Sequence, residues 1–411
     1  MRLIKLCGSY SSLIFLKGCE IMFFLGIDIA KLNHVASLVS DNGNIVFSNF
    51  MFKNNLDGFL SLIDKVESIP KDELVVALEF TGHYSDNFVN FFFNKKFSIT
   101  LVNPANVANF RKSYGRDSKN DRIDSINIAR MLLSREYSLV TQNDIEYLSL
   151  KKLNRIRDSL VKQKSKCKIL LTRNLDSIFP ELQFLLPSGI HSKAIYALLK
   201  KYPSAEEIAA LEIDVLTNIL KTNSRGHFCE KTANIIKSQA KSSVGFEDIS
   251  LSLHISQLIS SIELLEEQIR NTEKQINAII EKLKPVILSI PGISNVACAC
   301  ILGEIGNISR FSSPSKLLAF AGLDPKVRQS GQFKALSCRM SKRGSKYLRY
   351  SLIYTAWNAV RNNEVFNNYY VLKRSQGKNH YKALGHVAHK LVRVIYKLMK
   401  DSIPFNVEQL I

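Results

Sequence analysis

Four carboxylates stand out for where they sit. Asp28 follows the apolar run Leu25-Gly26-Ile27, and Glu79 closes Leu74-Val75-Val76-Ala77-Leu78. A charge at the end of an otherwise apolar strand is costly unless it is paired or binds a cation. Asp121 and Asp124 lie three apart at the head of a predicted helix, so both share one face. Acids in a first helical turn also complement the helix dipole, and capping is the plainer account of this second pair. If the four meet, their repulsion calls for divalent cations, and a set of hard oxygen donors suits Mg²⁺ or Mn²⁺. Ions held in this way polarise a phosphodiester and stabilise charge on its attacking and leaving oxygens. The chemistry to expect is phosphoryl transfer.

The surrounding pattern supplies elements that would bring the acids together. Residues 23–29, 34–40 and 44–51 read as strands, the last two joined by the turn Asp41-Asn42-Gly43. A helix near 55–67, a buried strand at 74–79, a helix near 85–95 and a strand at 98–102 follow, then helices near 104–112 and 119–134. The order βββαβαβα predicts a mixed sheet covered by helices, an α/β domain of RNase H-like type over 23–142. In such a sheet the first and fourth strands are neighbours and the last helix packs across their ends, where all four acids would converge. Residues 143–284 read as an all-α segment, basic at first and broken into short helices between 187 and 250. Within it, 251–283 carries a heptad seam: Leu251, Ile255, Leu258, Ile262, Leu265, Ile269, Ile276, Ile279 and Leu283. That spacing fits either a coiled coil that pairs two copies or one amphipathic helix on a bundle.

Charge is concentrated downstream. The 411 residues carry 56 Lys and Arg against 36 Asp and Glu, a formal +20. Residues 326–400 hold 17 of those cations and a single acid, Glu364, so +16 of the total lies in about a fifth of the chain. A solvated charged face would normally intersperse acids, and a patch this one-sided predicts a polyphosphate partner. The seven cysteines have no paired metal-ligand spacing and read as reduced thiols of a cytoplasmic protein. No apolar run approaches the about 20 residues that span a bilayer, and no membrane partner is expected. The first 21 residues are faintly like a signal peptide, but Lys17 and Glu20 interrupt the apolar run and no small-residue cleavage site follows, so the expectation over 1–22 is a non-native or disordered extension with Met22 as the working start.

In the basic segment, taken as a helical domain over 285–405, Ser330 lies in the polar stretch Lys326-Val327-Arg328-Gln329-Ser330-Gly331. On its own chemistry it is a turn serine, since a hydroxyl is a poor nucleophile until its proton is removed or its target neutralised. Arg328 and Arg339 could neutralise a phosphate there. Ile290-Pro291-Gly292-Ile293 sits between helical patterns like a helix-hairpin-helix element, where Gly292 would let backbone approach a phosphate; a plain helix–helix turn is the alternative. Lys342, Arg343, Lys346 and Arg349 recur three or four apart, predicting one cationic helix face. With Tyr347, Tyr350, Tyr354 and Trp357 interleaved, the segment could grip nucleic acid; the plainer expectation puts these aromatics in the core on the opposite face. His380, His386 and His389, with no acid beside them, are not expected to hold metal.

At these residues the chain resembles a known family. Gly26-Ile27-Asp28-Ile29-Ala30-Lys31, Glu79-Phe80-Thr81-Gly82-His83-Tyr84 and Lys119-Asn120-Asp121-Arg122-Ile123-Asp124 are similar to the N-terminal domain of the DEDD-type insertion-sequence transposases, relatives of the Piv-type DNA invertases with a RuvC-like catalytic domain. Ser289-Ile290-Pro291-Gly292-Ile293, Phe320-Ala321-Gly322-Leu323, Arg328-Gln329-Ser330-Gly331 and Met340-Ser341-Lys342-Arg343-Gly344 resemble that family's second domain. Asn120 stands where the family usually has Thr. The resemblance implies a DNA transposase or site-specific recombinase in which Asp28, Glu79, Asp121 and Asp124 bind Mg²⁺ and Ser330 attacks the scissile phosphate. It further implies a homo-oligomer, dimer or tetramer, that joins the acids of one subunit to the serine of another, and an element-encoded guide RNA. Two rivals share parts of this expectation: a hydrolytic RuvC-like nuclease or junction resolvase, which needs no serine, and an inactive nucleic-acid-binding protein.

Overall fold

A computed structural model describes residues 22–79, 82–102, 104–113, 121–134, 137–186, 189–326, 329–330, 333–334 and 339–410. The extension expected over 1–22 falls, but for Met22, outside the described residues. Two compact units emerge: one takes in the chain up to Ser149, Pro285–Ile293 and Glu304 onward, the other Leu150–Lys284 and Ser294–Gly303.

In the first unit, β1 (Phe23–Asp28), β2 (Asn33–Ser40) and β3 (Ile45–Lys53) form an antiparallel meander. Helix α1 (Leu56–Lys65) leads to β4 (Leu74–Glu79), parallel to β1, and α2 (Asp86–Asn94) leads to β5 (Ser98–Val102), parallel to β4. Helices α3 (Pro104–Ser113) and α4 (Asp121–Ser134) follow. The sheet order β3-β2-β1-β4-β5 places the first and fourth strands side by side, as the element order predicts. Both are apolar along their length because both faces are covered. Leu25, Ile27, Leu74, Val76 and Leu78 share a core with Phe59 of α1 and Phe88 and Phe92 of α2. Phe24, Val75 and Ala77 share another with Val107 and Phe110 of α3 and Ile128, Ala129 and Met131 of α4.

The second unit is helical. The 37-residue α5 (Gln142–Ile178) enters it, and α6 (Leu182–Leu185), α7 (Lys193–Lys201), α8 (Ala205–Ala210), α9 (Ile213–Asn223) and α10 (Glu230–Lys241) precede the 35-residue α11 (Ile249–Leu283). The heptad seam is used within the chain. Ile255, Leu258 and Ile262 of α11 are buried with Leu171, Leu175 and Ile178 of α5 and with Ile195 and Leu198 of α7. Arg157–Glu273 (2.7 Å), Lys164–Glu266 (3.5 Å) and Asn174–His254 (2.9 Å) set α5 and α11 antiparallel, one number falling as the other rises. Of the two readings of the seam, packing on a bundle accounts for these positions.

The rest of the first unit comprises α12 (Asn295–Ile305), which begins in the second unit, α13 (Pro314–Ala321), the two-residue strands β6 (Gln329–Ser330) and β7 (Phe333–Lys334), α14 (Lys346–Asn362), α15 (Glu364–Ser375) and α16 (His380–Asp401). Among the described residues no helix is long and apolar enough to cross a membrane.

Candidate metal centre and nucleic-acid interface

The acidic end of the sheet is built around a missing side chain. A Cβ on Gly26 would lie 2.1 Å from Ser125 O and 2.6 Å from Ala129 N, so only glycine lets α4 cross β1 at this distance. A buried hydrogen bond of 2.8 Å between Ser37 Oγ and Ser125 Oγ ties the same helix to β2. Strand alternation places Asp28, two residues beyond Gly26, on the face that α4 covers. Ala77 is the register partner of Gly26 and belongs to the α4 core, so Glu79 lies on that face as well. Asp28 and Glu79 therefore end adjoining parallel strands on one side of the sheet, each half-buried.

Asp124 is on α4, one residue before the Ser125 contact, and only 3% exposed. Arg111 of α3 reaches it: Arg111 Nε lies 3.1 Å from Asp124 Oδ1, an ion pair whose N–H is not aligned for a hydrogen bond. Asp121 is the first residue of α4, and its side chain lies outside the described residues. Among the described residues no three His, Cys, Asp or Glu side chains are gathered into a group that could hold a metal ion. Asp28 and Glu79 put two hard oxygen donors on one face of the sheet, the donor type a divalent cation takes, while the buried charge of Asp124 is met by Arg111. His34 on β2 is fully buried among Phe52, Phe59 and Phe88, and burial holds its pKa below the usual 6.5, so it adds no charge nearby at neutral pH.

Ser330 sits where a narrow hairpin turns. Ser330 pairs with Phe333 and Gln329 with Lys334, while nearer the body Pro325 pairs with Met340. Lys326 N donates to Arg339 O (2.9 Å) and Ser341 N donates to Asp324 O (2.8 Å), so 324–326 and 339–341 run antiparallel, as do Gln329–Ser330 and Phe333–Lys334. The base of the ribbon is fastened to α16 by a 2.9 Å hydrogen bond between His389 Nε2 and Leu323 O. The side chain of Ser330 and the whole of Arg328 lie outside the described residues. Arg339 is exposed at the base.

The remaining cations do not form the single helix face that their spacing suggests. Ser345 caps α14, its Oγ accepting from Leu348 N (3.2 Å) and donating to Glu304 Oε2 (2.9 Å), so the helix starts only at Lys346. Lys342 and Arg343 are exposed in the preceding loop, where Lys342 (φ 53°) and Gly344 (φ 91°) take left-handed backbone. Lys346 is exposed on the helix itself. Arg349 is half-buried, its Nη1 donating to Ala321 O (3.1 Å), and it clamps the end of α13. Gly292 (φ 87°) also faces protein: its Cβ would lie 2.7 Å from Asn358 O of α14. The aromatic expectation is corrected. Tyr350 and Tyr354 are exposed, because α14 buries Leu348, Ser351, Leu352, Thr355 and Ala356 and turns positions 350 and 354 outward. Arg111 and His389 carry no periodic or motif signal and escape sequence reasoning.

Comparison with known proteins agrees with this layout. Residues 25–180 match a DEDD-type transposase family of the IS110 group, and residues 284–371 match the family described as "Transposase IS116/IS110/IS902 family". The insertion element IS110 uncharacterized 43.6 kDa protein of Streptomyces coelicolor is 28% identical over 155 residues, 37% of this chain and 38% of that protein. The pilin gene-inverting protein of Moraxella bovis is 22% identical over 386 residues, 93% of this chain and 97% of its own. The transposase for insertion sequence element IS1328 of Yersinia enterocolitica is 22% identical over 334 residues, 81% of this chain and 82% of its own. With an acid-bearing sheet domain and a serine-bearing ribbon matched in the same order along the chain, this protein belongs to the DEDD-type transposases of the IS110/IS116/IS902 insertion-element family.

Proposed function

We propose that the chain cuts and rejoins DNA strands at the ends of an insertion element, with an RNase H-like (RuvC-like) domain and a serine-bearing domain sharing the work. The observation that carries this reading is the meeting of Asp28 and Glu79 at adjoining strand ends on the face crossed by α4, whose buried Asp124 is matched to a guanidinium. Asp28, Glu79, Asp121 and Asp124 would hold Mg²⁺ or Mn²⁺, which when bound supplies positive charge to the scissile phosphate. Ser330 Oγ forms a bond to phosphorus as one deoxyribose oxygen leaves. The serine proton passes to a base, and the departing oxygen takes up a proton. Rejoining runs the same exchange backward: the hydroxyl of a new strand end displaces Ser330, so one ester replaces another without hydrolysis or an external energy source. Arg328, two residues before Ser330 in the sequence, and the exposed Arg339 are suited to holding the phosphate's charge. Exposed Lys342, Arg343 and Lys346 offer further backbone contacts, with Arg349 and Gly292 holding the scaffold beneath them. The acids of one subunit act with the serine of another in a dimer or tetramer, and a structured RNA from the same element directs the complex to its DNA.

The test uses purified full-length protein, element-end DNA and Mg²⁺. Asp121→Asn abolishes strand exchange while folding and DNA binding persist, and Ser330→Ala removes the covalent DNA–protein adduct on denaturing gels. Adduct of undiminished yield from Ser330→Ala would exclude the serine. Cleavage without any adduct would point instead to a hydrolytic nuclease.

A further inference from the structure

Two large rings on α14 are left in water. Tyr350 is 73% and Tyr354 is 50% exposed, and their planes lie within 10° of parallel at 6.4 Å between centroids. Exposed side by side, they give two flat faces with one orientation. On a helix with 100° between residues, Lys346, Tyr350, Tyr354 and Arg361 fall within roughly 80° of one another, a stripe about 22 Å long with a cation at each end. Lys346 and Arg361 are both exposed, and Lys346 Nζ also lies 5.2 Å from the half-buried Tyr347 ring. No other large apolar side chain on α14 is exposed among the described residues. The core of a protein–protein interface is depleted of charged side chains, whereas these rings lie between cations in a stretch with 17 Lys and Arg and one acid.

Flat aromatic faces between positive charges, on a helix that exposes no other large apolar side chain, match a polyanion that exposes flat rings of its own. We infer that Tyr350 and Tyr354 form a stacking platform for unpaired nucleobases, with Lys346 and Arg361 holding the flanking phosphates. In a duplex each base face is covered by its neighbours. Only an unpaired segment, DNA or RNA, presents faces to stack on. Stacking of this kind tolerates any sequence, because every base has such a face. The platform therefore grips a strand opened during exchange or an unpaired stretch of RNA, without selecting its sequence. This inference rests on the nucleic-acid reading above and adds to it a specific preference for unpaired strands.

The experiment measures binding of the full-length chain to end-labelled single-stranded DNA of mixed sequence, RNA of the same sequence and the matching DNA duplex, by fluorescence anisotropy. Tyr350→Ala/Tyr354→Ala weakens single-strand binding by about tenfold for each base that loses its ring, while duplex binding changes less than about twofold. Tyr350→Phe/Tyr354→Phe keeps the flat faces and stays near the unsubstituted protein. Lys346→Ala weakens all three ligands and lowers the salt slope by about one. The DNA and RNA arms show which unpaired strand is preferred. Equal loss on duplex and single strand in the alanine variant overturns the inference, as does unchanged single-strand binding. Unchanged binding with a lower sedimentation-defined oligomeric state would assign the tyrosines to a second copy of the chain. Failure of the unsubstituted protein to bind any of the three would sink the functional reading itself; duplex binding alone sinks only the platform.

Discussion

A carboxylate 3% exposed, like Asp124, survives in its charged form only where positive charge or strong hydrogen bonds compensate the lost water. Arg111, at 3.1 Å, supplies a large part of that compensation from a different helix. In the proposed reading, a divalent cation and this guanidinium are alternative answers to the same local charge. Arg111→Met therefore lowers stability, by on the order of 1–3 kcal/mol, less than for a fully buried pair because the arginine side chain is partly exposed. Its melting temperature then rises on addition of Mg²⁺ by more than that of the unsubstituted protein. Calorimetry in EDTA and in Mg²⁺ checks this, and a variant indifferent to the ion would count against metal at these acids. Asp28 and Glu79 were readable because an acid ending an apolar strand is conspicuous in any sequence. Arg111 was not, since a cation beside Lys112 on a weakly amphipathic helix looks like any surface residue, and its partner is fixed only by the crossing of α3 and α4.

Between elements, the constraint that bears on the acids is the crossing of α4 over β1. Gly26 has no strand-breaking role; its significance is the 2.1 Å that would separate an added Cβ from Ser125 O. Gly26→Ala must push α4 away from the sheet, with a cost of roughly 3 kcal/mol or more from overpacking, and it moves Asp124 relative to Asp28 and Glu79. The expected outcome is a lower denaturation midpoint together with loss of strand exchange out of proportion to the fraction unfolded. A variant that melts like the parent would mean the contact relaxes freely. The elements themselves were largely legible: strands and helices of the sheet domain lie within a few residues of their expected bounds, because continuous apolar runs and a hairpin turn define them. The partner of the heptad seam was not legible. Spacing shows that Ile255, Leu258 and Ile262 must be covered, and it does not show that α5 of the same chain covers them. The aromatic side of α14 misled for a related reason. A periodic mixture of Tyr, Leu, Ala and Ser has two candidate inner faces, and the smaller residues take the inner one, packing α14 closely against its neighbours.

Over the whole molecule, charge separates by role: a paired, partly buried acidic cluster at the sheet, and +16 of the formal +20 over 326–400. Contacts with even six phosphates would give binding a log–log salt slope of roughly −5, which fits a surface that holds a backbone without reading its sequence. The ribbon that carries Ser330 has one more consequence. Because Lys326 N and Arg339 O are already joined by a 2.9 Å hydrogen bond across its base, the chain comes together there before the tip begins. The segments on either side of 327–338 are thus joined to each other without that stretch. Excising 327–338 and splicing Lys326 to Arg339 through a short glycine turn should leave a protein that melts within a few degrees of the parent and still binds element DNA, yet yields no covalent adduct. Evolution could likewise lengthen, shorten or re-aim that stretch without redesigning the body that carries it.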